Sequence, residues 1–166
     1  MNPIPVFIRY LQQLQHMLRL MEAHTQGDCQ LLGQQLHPTM LPLLAQVRTA
    51  ANFAPRTLCP LLGRERTSFE SSDHSYAGLQ QQLAETIQWL TQLPTEDITP
   101  ACASISDKAG FQNLDLPAQE YLQQYALPNF FFHLGMAYAI ARHAGVPLSK
   151  GDFDGYHQYP PGFSFV

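Results

Sequence analysis

The segment LPNFFFHLGMAYAIARHAGVPL, Leu127 to Leu148, constrains the fold of this chain more than any other. Pro128 suits the first helical turn, where a missing N–H costs nothing, and Gly145 followed by Pro147 suits the end. Between these limits apolar residues occupy every side. Phe130, Met136, Ala137 and Ile140 share a face with Asn129 and His133, while Phe131, Leu134, Tyr138 and Ala141 line the other. A helix of this kind has to be central among other helices or covered by a partner. Only Arg142 and His143, at the end where cations suit the helix dipole, break the pattern.

Three amphipathic helices are available to surround it. From Val6 to about Thr25 the residues Phe7, Leu11, Leu14, Leu18 and Met21 recur at steps of three and four, and Gly27 is a plausible stop. Pro38 and Pro42 mark the start of a second helix whose stripe is Met40, Leu43, Leu44, Val47, Ala50, Ala51 and Ala54. Pro55 and Pro60 predict a kink or break near Phe53–Pro55 and an end by Gly63, because an interior proline deletes a hydrogen bond and crowds the preceding turn. Ser75 is the expected N-cap of a third helix carrying Leu79, Leu83, Ile87 and Leu90, with Pro94 beyond its end.

Residues 94–117 lose helical periodicity. The pieces CASIS and FQNLDL, separated by DKAG, suit a small hairpin. Pro117 then opens a short helix, PAQEYLQQYA, before the long final one. The chain therefore reads as an all-α protein, a four-helix bundle whose third connection exceeds the usual about 2–8 residues and is expected to be a crossover or to hold the hairpin. A single domain spans 1–166, and its tail from about 149, rich in Gly, Pro and aromatic residues, is expected to dock on a surface, a neighbouring subunit being one choice.

Charge excludes several classes of partner. Only 13% of residues are charged, about half the ordinary ~25%, and glutamine fills the deficit in LQQLQ and LQQQL. A polar but weakly charged surface is compatible with a homodimer. The net charge of −4 and the absence of a Lys/Arg cluster argue against nucleic acid. The N-terminal segment, interrupted by Arg9, His16 and Arg19, has no run of about 18 apolar residues, so no membrane span is expected. Cys29, Cys59 and Cys102 are too scattered for a disulfide framework or paired metal ligands. Small buried roles in a reducing cytoplasm suit them.

His133 admits two readings. It ties helices together through one hydrogen bond, or with Asn129 one turn away it presents polar groups at the mouth of a cavity that takes a small molecule. Gln46, on a partly inward face of the second helix, and Tyr138 are further pocket candidates. His24, one turn beyond Met21, is the other metal candidate beside His133, and His37 precedes the second helix. His16, His74 and His157 are expected to be exposed. GDFDG lacks the ligand series of a calcium loop and reads as a turn, LLGRER is no phosphate loop, and no G-x-S-x-G elbow occurs.

VFIRYLQQLQHMLRLMEAH, LHPTMLPLLAQVRTAANFA and YALPNFFFHLGMAYAIARHAGVPLSKGDFDG together resemble a bacterial family known only as a domain of unknown function, itself similar to the DinB/YfiT-like metalloenzymes. The resemblance spans nearly the whole chain. It implies a DinB-like four-helix bundle and, from the wider superfamily, a divalent metal such as zinc or nickel held by three histidines, with thiol-transferase or hydrolase chemistry. Asn129 and His133 then stand where that superfamily carries an H-x3-H pair, and Gln46 is the polar residue closest to the position of the third histidine. The non-catalytic alternative is a ligand-binding or interaction module.

Overall fold

The computed structural model describes residues 2–94, 96–160 and 162–164. Helix α1 (Ile4–His24) buries Phe7, Leu11, Leu14, Leu18 and Met21 completely, the set that the three- and four-residue spacing predicts. Gln26 and Gly27, both at positive φ, turn the chain away from it. After a 3₁₀ turn (Cys29–Gly33), α2 (Leu43–Leu61) starts behind Pro42, so Met40 precedes the helix instead of belonging to its stripe. Helix α3 (Tyr76–Thr91) begins at Ser75, whose Oγ accepts the Gly78 N–H at 3.2 Å.

The expected break near Pro55 does not occur: α2 runs through both prolines to Leu61. The carbonyl that Pro60 leaves without its usual amide, that of Arg56, lies 3.4 Å from the Tyr121 hydroxyl, whose proton goes to Asp107 at 2.7 Å.

Strands β1 (Ser104–Ala109) and β2 (Gln112–Pro117) form an antiparallel hairpin with Ala109 opposite Gln112. Its two-residue turn is Gly110–Phe111, tighter than the DKAG separation predicts. Gly110 takes φ 58° while Phe111 stays negative, the arrangement of a II′ turn, which matches the twist of the strands. Asp107 and Lys108 therefore lie in a strand, and Asp107 shares the inward face with Ile105.

Pro117 opens α4 (Ala118–Glu120), which passes without interruption through a π-helical turn (Tyr121–Ala126) into α5 (Leu127–His143). The two separate helices expected here are one. Pro128 has no N–H for the carbonyl four residues back, and the widened turn immediately before it absorbs the missing bond.

Helix α2 packs along α5, and α1 packs on α3. Phe7 meets Phe130 edge to face at 4.9 Å. Burying a side chain of this size contributes about 1.5–3 kcal/mol. A smaller apolar cluster of Leu61, Ile105, Tyr121 and Leu122 anchors the hairpin to the end of α2.

The start of the tail docks on the chain's own α1. SKGDFDG forms a one-turn helix, α6 (Lys150–Asp154), where a simple turn is expected. Asp152 caps it and accepts from His16 at 2.7 Å. Asp154, held at about 2 by the amides of Tyr156 and His157 and by the His157 ring, fixes the turn in which Arg9 lies 3.6 Å over the Tyr156 ring. His16 is thus half-buried, whereas His74 and His157 are exposed as expected. Of the cysteines only Cys59 is buried; Cys29 and Cys102 are exposed, since the loops that carry them lie on the surface. Among the described residues no helix is long and apolar enough to cross a membrane.

Candidate functional site

Gln46 and His133 face each other where α2 and α5 pack. Gln46 is buried, and its Nε2 donates to the Leu41 carbonyl at 3.2 Å. That bond turns the amide oxygen toward α5, where it lies 2.7 Å from His133 Nδ1. An amide oxygen can only accept, so the proton sits on Nδ1 and the neutral ring carries its lone pair on Nε2. Nε2 has no hydrogen-bond partner among the described residues. Burial, and then the nearby Arg56 cation, lower the His133 pKa and keep the ring neutral.

His133 is half-buried and not fully interior, because the face of α5 that points into the core is Phe130, Leu134, Ala137 and Ala141. Its ring stacks on Phe53 at 5.7 Å and 26°. Phe53 also lies 5.0 Å beneath the Arg56 guanidinium, so the ring links the histidine to a second polar cluster one turn further along α2.

Asp107 is the centre of that cluster. Its carboxylate is fully covered, yet it accepts from Arg56 Nε at 2.8 Å, Arg66 Nη2 at 2.8 Å, the Tyr121 hydroxyl at 2.7 Å and the Lys108 amide at 2.8 Å. Burial alone would raise its pKa. The four donors, Arg56 foremost, outweigh burial and hold it at about 2. Tyr121, buried and bonded to that carboxylate, is pushed well above the ordinary phenol range. Arg56 Nη2 also donates to the Tyr125 hydroxyl at 2.9 Å and to the Lys108 carbonyl, which locks the guanidinium between α2, the π turn and the hairpin.

Phe53, Arg56 and Arg66 border a cleft of about 450 Å³. One wall is a face of α2 made of half-buried Thr49, Asn52 and Arg56 with buried Phe53 between them, spaced at three and four residues as one helical face requires. The other is the loop Arg66–Ser68.

The remaining candidates lie apart or are engaged elsewhere. Asn129 Nδ2 donates to the Tyr125 carbonyl at 2.7 Å, one turn back on its own helix. Tyr138 faces the tail, edge-on to Phe153 and with its hydroxyl 3.5 Å from the Leu148 carbonyl. His24 is exposed at the end of α1, and His37 is exposed with Thr39 as its partner. Arg56, Arg66, Asp107 and Tyr121 escape the sequence reading. One signal for them exists: once the hairpin is given its full length, strand alternation puts Asp107 on the same side as the core residue Ile105.

A metal fits this arrangement poorly. At the three positions the resemblance points to stand two amides and one imidazole. Gln46 already bonds His133, and carboxamides are feeble ligands for zinc or nickel. Among the described residues no group of three or more His, Cys, Asp or Glu could hold a metal ion.

The helices, their hairpin insertion and this polar seam define a DinB-like protein. A crystal structure described as a DinB family member protein from Shewanella denitrificans superposes with a TM-score of 0.82 at 27% identity, over 95% of this chain and 92% of that one. The chain belongs to the family described as Domain of unknown function (DUF1993), whose profile matches residues 2–154. No curated protein matches it.

Proposed function

We propose that this chain is a single-domain, DinB-like four-helix bundle that binds a small organic molecule in the cleft beside Phe53, without the three-histidine metal centre of the wider superfamily. The observation that carries this reading is the cleft between α2 and residues 66–68, whose walls include Phe53 and the anchored guanidinium of Arg56. The His133 ring, fixed in tautomer by Gln46 and kept neutral by burial, stacks on that phenylalanine and so reports on what enters the cleft. The cleft volume of about 450 Å³ falls within the ~300–1,000 Å³ typical of small-molecule sites. A largely prepared aromatic wall with a few fixed polar groups is the usual composition of such sites.

The test is NMR of the His133 ring while benzyl alcohol, benzoate and phenyl phosphate are each added at millimolar concentration. At least one is expected to shift the ring signals, and the shift is expected to disappear in Phe53→Leu. Unchanged ring signals with all three would overturn the reading. The metal alternative, a hydrolase or thiol transferase, is checked on untagged protein purified without added metal. Metal content well below one ion per chain, unaltered by His133→Ala, is expected. One zinc or nickel per chain, lost in that variant, would restore the metalloenzyme reading.

A further inference from the structure

We infer that the ligand of this cleft is a small organic anion, with its carboxylate or phosphate held between Arg56 and Arg66 and an apolar body lying against Phe53. The inference rests on the binding reading above and specifies the chemistry of that site.

Two guanidiniums converge on one buried carboxylate, and neither is used up by it. Arg56 spends Nε on Asp107 and Nη2 on Tyr125 and Lys108; Arg66 spends only Nη2, on Asp107 and, at 3.4 Å, on the Ser106 carbonyl. Arg56 Nη1 and Arg66 Nε and Nη1 have no hydrogen-bond partner among the described residues. Both residues border the cleft. Asp107 thus grips the two forks from behind and fixes their position before any ligand arrives, so that little side-chain freedom remains to be lost on binding.

The local charge supports an anion. Of the residues that line the cleft, Arg56 and Arg66 carry charge, and the one carboxylate paired with them is Asp107. One positive charge is left over, with Lys108 adjacent. That surplus suits a single anionic group and is too small for a polyanion such as nucleic acid. Glu70 bridges Arg48 and the Asn52 amide at 3.2 and 2.9 Å, so both of its oxygens are engaged. The hydroxyls of Thr49 and Thr67, without partners among the described residues, supply neutral donors on both walls. Phe53, nearly buried with the Arg56 guanidinium over its ring and His133 stacked on it, adds a small apolar contact to the cleft wall.

The experiment compares the affinities of benzoate, phenyl phosphate and benzyl alcohol at low salt, by calorimetry and by the His133 ring signals, for the wild type and for Arg66→Gln. Arg66 is half exposed, and Asp107 keeps Arg56 when it is replaced. One of the anions is expected to bind at least about tenfold more tightly than the alcohol, to lose about tenfold in Arg66→Gln, and to weaken with added salt. A preference for phenyl phosphate would assign a phosphate ligand; the reverse would assign a carboxylate. Should Arg66→Gln be too unstable to titrate, Arg66→Lys keeps the charge and loses the fork, and a loss of at least about threefold is expected. Equal affinity for alcohol and anions, or no loss in either variant, overturns this inference while the cleft itself stands. No binding of any probe overturns both.

Discussion

Helix α2 carries two polar ties to its neighbours, and they are built in opposite ways. At Arg56 the partner is a covered carboxylate with four donors and nothing left to bond. At Gln46, ten residues or about 15 Å earlier, the partner is an imidazole with one nitrogen engaged and the other open. A saturated buried network fixes geometry; a half-satisfied one keeps a polar atom unspent. The result is a division of labour along one helix: Asp107, itself saturated, holds the hairpin and the two guanidiniums that border the cleft, while His133 keeps one ring nitrogen open.

The largest test of this contrast is Asp107→Asn. Removing the charge leaves Arg56 and Arg66 without their counter-ion and turns one of the two acceptor oxygens into an NH2 group that faces donors. Breaking a buried ion pair by one partner costs 3–5 kcal/mol in general, and because Arg56 and Arg66 retain some solvent the expected loss is about 3 kcal/mol in urea unfolding at neutral pH. A loss under about 1 kcal/mol would mean that the cluster is peripheral to stability and would remove the contrast.

Acid provides a second, smaller probe of the same carboxylate. Its folded pKa of about 2 lies below the value of 3.8 it starts from, so between those limits the unfolded chain binds more protons and stability falls as pH falls. The contribution, about 2.5 kcal/mol, is complete above about pH 4 and lost as pH descends through 2. Unfolding free energies measured at pH 5 and pH 2.5 should converge for wild type and Asp107→Asn. A gap that persists unchanged at the lower pH would show that hydrogen-bond geometry, and not ionisation, carries the effect.

The two ties also differ in how readily they can be read from residue order. His133 and Gln46 stand out because each is polar within a run of apolar residues at helical spacing, and that spacing alone turns them toward a neighbour. The long helices are legible for the same reason: Phe7, Leu11, Leu14, Leu18 and Met21 are the buried stripe of α1 because a period of 3.6 leaves no alternative. The Asp107 cluster draws one residue each from α2, a loop, a strand and the π turn, and no local period relates them. Its single trace, the alternation of Ile105 and Asp107, is hidden when DKAG is taken for the turn. Proline misleads in the other direction. Pro55 and Pro60 suggest a break, yet the carbonyl freed by Pro60 lies beside a tyrosine 65 residues away, a contact that exists only in three dimensions.

At the other tie, Gln46→Leu is expected to cost about 1–2 kcal/mol, since it removes the donor to the Leu41 carbonyl and the acceptor for His133 in a nearly isosteric change. Its sharper consequence is on the tautomer. Imidazole ¹⁵N shifts of the wild type should report the proton on Nδ1 alone, and in Gln46→Leu a mixture with Nε2–H should appear. A wild-type ring protonated on Nε2 would contradict the geometry that leaves that nitrogen open.

The smallest expected effect is the pH dependence of His133 itself. Burial and the Arg56 charge lower its folded pKa below the ordinary imidazole value of 6.5. As pH drops through that value the unfolded chain takes up a proton that the folded chain refuses, so the fold is disfavoured in the window just below 6.5. The penalty stops growing once the folded ring also titrates. This is the opposite of an imidazole stabilised by a carboxylate, which would make the fold more stable over the same window. Replacing His133 by Gln should flatten the stability profile there, while Arg56→Gln, by removing the repelling cation, should move the His133 titration, followed by ring NMR, toward higher pH. An anion seated between Arg56 and Arg66 would act in the same direction by neutralising that field. A His133 titration that rises on adding benzoate or phenyl phosphate to the wild type, and stays fixed in Arg66→Gln, would tie the open histidine and the saturated cluster to one binding event.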